Sequence, residues 1–242
     1  MSPCESNADN RRMKNFFKTL WRSVYPILIY LLISFVVMIV FETAQSIAVY
    51  LTTGTIDVVG LMDSMMNNAL LETLIAAVLT VPVAILLMHN DDKLYGVEKK
   101  EMSIWLKLLM IVVIIGVAIG GNWIINLTDV GSLDPVFMET SEAISDAPVA
   151  IQILTAVVFG PLVEELIFRG LCFRRMEKSW GMIWALLLSS LFFGIFHGNF
   201  VQAAYAFVLG IILGLGYYNS GSIVFTFIMH ALANLAPLLL FV

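Results

Sequence analysis

From Ser179 to Val242 the chain contains no Asp, Glu, Lys or Arg. Over the whole sequence charged residues amount to 13%, against 60% hydrophobic residues. So little charge excludes a soluble domain, and there is neither a basic groove nor an aromatic platform for a nucleic-acid partner. Cysteine is nearly missing: Cys4 and Cys172 lie far apart, in neither a metal nor a disulfide spacing. The apolar runs lack polar–apolar alternation, which excludes the strands of a membrane barrel. Lys and Arg are also absent from 53–68 and 128–147. The second of these segments nevertheless carries Asp129, Asp134, Glu139, Glu142 and Asp146.

What is present is a series of apolar runs. A helix needs about 20 apolar residues to cross a bilayer, and seven stretches qualify: roughly 24–52, 69–88, 104–127, 148–175, 181–197, 200–218 and 222–242. The fold class expected is an all-α, polytopic transmembrane bundle of about seven spans, the first tilted or broken near Glu42. Every Lys and Arg falls before the first span, at 93–107, or at 169–178. By the positive-inside rule this places the N-terminus in the cytoplasm and the C-terminus outside, the plasma membrane being the expected location. Three regions follow. Residues 1–23 form a basic N-terminal segment in which Phe16, Phe17, Leu20 and Trp21 suggest a short amphipathic helix lying on the membrane, or else a basic tail. The run after it is too long for a signal h-region, so no cleavable signal peptide is expected. Residues 24–147 hold three spans without motifs, and 148–242 hold the spans that carry the chemistry.

That chemistry begins at Gly160-Pro161-Leu162-Val163-Glu164-Glu165-Leu166-Ile167-Phe168-Arg169-Gly170. An ionised carboxylate in hydrocarbon costs at least ~2.5 kcal/mol, so intramembrane carboxylates are functional candidates. Two adjacent ones repel unless a cation compensates. Glu165 and Arg169 are four apart with the acid first, the favourable helical pairing, and Arg169 is expected to snorkel toward the cytoplasmic interface. Glu164 lies about 100° round the helix, free to face a cavity and move protons. Pro161 is expected to break the ladder one turn earlier, and Gly160 and Gly170 to permit close helix approach. In the uncharged last part sit His197, His230 and Asn234, the last two on one helix face. At 1.5 Å per residue Glu164, His197, His230 and Asn234 come out roughly 19, 26, 15 and 20 Å deep, which overlap within helix tilt. Glu42 and Glu72 are better read as hydrogen-bonded inside the bundle or placed at helix ends.

Glu164-Glu165-x-x-x-Arg169, Phe193-x-x-x-His197 and His230-x-x-x-Asn234, in that order on successive helices, resemble the three motifs of the CPBP family. This group comprises CAAX prenyl endopeptidases of the Ras-converting type and bacteriocin-processing or self-immunity (Abi) proteins. The resemblance covers about residues 148–236, including Ser189-Ser190-Leu191-x-Phe193-Gly194. It implies an intramembrane endopeptidase in which Glu164 and His197 activate a water while His230 and Asn234 stabilise the oxyanion. Glu165, Arg169 and Phe193 would give structural support. No cofactor is expected. The family has been called metalloprotease, and if zinc were bound its ligands would be Glu164, His197 and His230, although neither His-Glu-x-x-His nor a Cys ligand is present. The expected partners are a peptide or protein substrate in or near the membrane and the lipid bilayer. The alternative is a non-enzymatic immunity or transport protein using the Glu/His cluster as a binding site or proton relay.

Overall fold

The computed structural model describes residues 3–55, 58–96 and 100–241, with side chains described except at 3–12, 58, 59, 61–66 and 241. Its regular elements are all helical: α1 (Pro3–Thr53), α2 (Val58–Tyr95), α3 (Ile104–Thr128), α4 (Pro135–Asp146), α5 (Val149–Trp180), α6 (Met182–Phe196), α7 (Phe200–Ser220) and α8 (Ile223–Phe241). Among the described residues six helices are long and apolar enough to cross a membrane, namely all but α4 and α6. The seventh apolar run, α6, is a shorter helix of 15 residues.

Two expectations are corrected. The amphipathic stretch around Phe16 is no separate surface helix, because α1 runs through it without interruption. It is held there by contacts across the bundle: Phe16 stacks on Trp180 at 4.8 Å, and Arg22 reaches Asp91 at 3.3 Å. Nor is α1 broken at Glu42. Segment 128–147 holds the short helix α4, which Asp134 caps, its side chain accepting from Phe137 N at 3.2 Å. The expectations on Cys4, Arg11 and Arg12 fall outside the described side chains.

The central element is α5, more than half buried, the largest share of any span. It packs against α1, α2, α6 and α8, while α6 pairs with α7 and α3 with α8. Its apolar face joins one core in which Val163, Ile167 and Phe168 meet Ile27 and Tyr30 of α1, Ala77 and Ala84 of α2, and Phe193 of α6. Pro161 has no N–H for the ladder, and the helix continues through it. The helix is widened to i→i+5 turns over Ile153–Phe159 and Glu165–Phe173, around one ordinary turn at Gly160–Glu164. Gly160 N–H bonds Thr155 O, five residues back, and a Cβ on Gly160 would sit 2.5 Å from that same oxygen. Gly160 therefore serves the wide turn of its own helix, whereas Gly170 admits Met88 of α2. Wide turns of this kind concentrate at functional sites because they re-aim side chains along a helix.

Candidate active site

The two glutamates leave the junction between the ordinary turn and the second wide turn in different directions. Glu165 is fully buried and Glu164 keeps 16% of its side chain exposed. Arg169 Nη1 donates to Glu165 Oε1 at 3.0 Å, and its Nη2 donates to Gly210 O on α7 at 3.2 Å. The guanidinium lies 4.4 Å from the centre of the Phe193 ring. At 1% exposure Arg169 does not snorkel to the interface, contrary to the sequence expectation. The reason is that α6 and α7 supply an aromatic face and a carbonyl, so both terminal nitrogens of the cation find partners inside the bundle, though Nε has none.

His230 descends from α8 onto this ion pair. Its Nδ1 stands 2.9 Å from Glu165 Oε1, and its Nε2 stands 3.7 Å from Glu164 Oε2. A carboxylate held by an arginine accepts hydrogen bonds, so Nδ1–H donates to Glu165 and Nε2 is left facing Glu164. Two carboxylates thus meet one guanidinium and one imidazole ring in the same network.

His197 ends α6. Gly198 with φ +76° and Asn199 turn the chain directly into α7: Asn199 Oδ1 accepts from Gln202 N at 2.8 Å, and Asn199 Nδ2 donates to His197 O at 3.3 Å. His197 Nδ1 lies 2.8 Å from Phe193 O. A carbonyl only accepts, so this nitrogen carries the proton and Nε2 of the neutral ring is the basic one. The rings of His197 and His230 both meet Phe193 edge-on, at 5.0 and 5.6 Å between centroids. Asn234 Nδ2 donates to Ala156 O of the first wide turn at 2.8 Å. The structure thus joins Glu164, Glu165, Arg169 and His230 in one network. It brings His197 to the same Phe193 ring that meets His230 and engages Asn234 with the backbone of α5.

Among the described residues no three His, Cys, Asp or Glu side chains converge closely enough to hold a metal ion. Of the set Glu164, His197 and His230, His230 is turned onto Glu165 and His197 onto a carbonyl. Two participants had no motif to announce them. Tyr30 of α1 is buried, stacks on Phe196 at 5.4 Å and lies within electrostatic range of Glu164. Gly210 supplies the carbonyl for Arg169, and a Cβ there would meet Ser190 at 3.0 Å. Only the small residues of α7 signal that contact in the sequence. Glu42 and Glu72 lie against each other between α1 and α2, inside the bundle and away from this network.

Residues 146–236 match a family described as type II CAAX prenyl endopeptidase Rce1-like. The matched segment runs from the end of α4 through the helices that carry Glu164, His197, His230 and Asn234. No curated protein and no solved structure matches the chain.

Proposed function

We propose that this integral membrane protein, whose residues 146–236 match the type II CAAX prenyl endopeptidase Rce1-like family, is an intramembrane endopeptidase that hydrolyses its substrate with a glutamate-activated water. The observation carrying this reading is the division of labour between adjacent glutamates. Glu165 is consumed by Arg169 and His230, and Glu164 is left partly exposed beside His230 Nε2.

Glu164 takes a proton from water, and the basic Nε2 of His197 shares that task. The tetrahedral oxyanion accepts from His230 Nε2–H and from Asn234. Nδ1 of His230 is engaged by Glu165, so Nε2 is the nitrogen it has for the oxyanion. Asn234 spends one N–H on Ala156 O and retains a second. Donors aimed at developing negative charge lower the barrier. The substrate is a peptide or protein reaching the bundle from the bilayer, of CAAX type or a bacteriocin-related precursor. The basic distribution supports a cytoplasmic N-terminus and an external C-terminus, and the plasma membrane is the location proposed with it.

The test is cleavage by the purified chain in proteoliposomes, first on a peptide ending in a prenylated CAAX sequence. Membrane proteomes with and without Glu164→Ala provide the wider substrate search. Glu164→Gln is expected to remain folded and lose cleavage, and Asn234→Ala to slow turnover by roughly 10²–10³. Wild-type cleavage by Glu164→Gln overturns the assignment. Elemental analysis of the active protein, with activity after prolonged chelation, decides the metal question. Stoichiometric zinc lost and regained together with activity would replace the glutamate–water scheme.

A further inference from the structure

At the end of the bundle where α1 enters, a cleft of about 720 Å³ opens between α1 and the last turns of α5. Among the described residues three cationic side chains line it, Lys18, Arg22 and Arg175, and no Asp or Glu does. The nearest anion, Asp91, is shared: Arg22 reaches Oδ1 at 3.3 Å and Arg175 reaches Oδ2 at 2.5 Å. Three cations less this one carboxylate leave two unmatched positive charges. Among the described residues Lys18 has no carboxylate partner, and Lys14 continues the stripe one turn further on α1. Thr19 donates to Ser179 Oγ at 3.1 Å, which leaves the Ser179 hydroxyl hydrogen to donate from the cleft wall.

The rim has the opposite character. Met13 and Phe16 are exposed, Phe16 stacks on Trp180, and Phe17 and Trp21 are each 61% exposed on the same stretch of α1. Aromatic side chains in this position mark the headgroup level of a bilayer. A cationic floor under an apolar, aromatic rim fits a ligand with an anionic head and an apolar tail. A free anion would use the floor and leave the rim in water.

We infer that this cleft is a binding site for the phosphate headgroup of an anionic phospholipid, with Lys18 the principal free cation and Arg22 and Arg175 its fixed neighbours. The site is separate from the glutamate–histidine network, and its occupancy does not depend on the protein being a protease.

The experiment uses the purified full chain in an uncharged detergent, with tryptophan fluorescence as the readout because Trp180 lines the cleft. The probes are dihexanoyl-phosphatidylglycerol, dihexanoyl-phosphatidylcholine and inorganic phosphate. Saturable quenching or enhancement is expected with phosphatidylglycerol and not with the other two. A cation near an anionic lipid contributes about 1 kcal/mol, so Lys18→Gln is expected to weaken phosphatidylglycerol binding about fivefold. Lys107→Gln, of equal charge change on α3, is expected to leave it unaltered. Equal responses to the two lipids, or equal weakening by the two substitutions, overturn the proposal. An equal response to inorganic phosphate would make the cleft an anion site and remove the lipid. The comparison of lipids on the wild-type protein stands even if a variant fails to fold.

Discussion

Glu164 and Glu165 are chemically identical neighbours whose surroundings divide them. Burial of Glu165 is tolerable only because Arg169 and His230 both bond its Oε1. Removing one partner of a buried ion pair costs about 3–5 kcal/mol, since a charge is left stranded in a medium that cannot solvate it. Arg169→Met is therefore expected to lower thermal stability by about that amount. The double variant Arg169→Met/Glu165→Gln, which strands no charge, is expected to recover most of the loss. Thermal unfolding in detergent reads both, and a double variant less stable than Arg169→Met alone would show that charge burial is not the cause. Glu164→Gln should melt near the wild type, because Glu164 is not part of that salt bridge.

At the scale of elements, the site depends on how α5 is wound and how its neighbours are tethered. The alternation of wide and ordinary turns aims Glu165 at α8 and brings Ala156 O to Asn234. On the side of the bundle facing α4, Asp134 ties two helix starts together. It accepts from Phe137 N at the head of α4, and from Phe200 N at 2.8 Å and Val201 N at 3.3 Å at the head of α7. Partial desolvation acts to raise the Asp134 carboxyl, but the N–H groups of Phe137, Val201, Phe200 and Val136 outweigh it and hold the group below the usual carboxylate range. A depressed value means that the tie is fully present above the ordinary carboxylate value of about 3.9. It is lost as the pH falls through the lower, folded value. Asp134→Ala is expected to speed hydrogen exchange at Phe137, Phe200 and Val201 at neutral pH. Unchanged protection at all three amides would show that the carboxylate is not what holds the two helices.

At the scale of the molecule, the distribution of charge and the antiparallel packing agree. Arg22, Asp91, Asp92, Arg174 and Arg175 cluster at one end of the bundle, where Arg174 pairs with Asp92 and Arg175 with Asp91. The acidic segment 128–147 lies at the other. In a Cys4→Ser background, Lys93→Cys is expected to react with an impermeant thiol reagent only after the cytoplasm is opened. Glu139→Cys is expected to react from outside in intact cells. Both positions are exposed, and the native Cys172 is buried. The reverse pattern would invert the orientation and leave the glutamate–histidine network as it is.

The sequence alone determined the all-helical membrane architecture, because uninterrupted apolar runs of span length have no other low-energy form in a bilayer. It also singled out Glu164, Glu165, His197, His230 and Asn234, since polar groups are conspicuous where every neighbour is apolar. Element boundaries were less legible: α1 runs through its basic segment, and α2 carries Asp91 and Asp92 on its last turns, because cross-bundle ion pairs extend helices past the apolar window. What only the tertiary structure decided is which polar group each of these residues meets. Arg169 turns inward because Gly210 and Phe193, distant in sequence, offer it a carbonyl and a ring. His230 rests on Glu165 because α8 packs beside the second wide turn of α5. Span length and hydropathy are sums over neighbours in the chain, whereas the partner of a buried charge is set by helices that meet only after the bundle has closed.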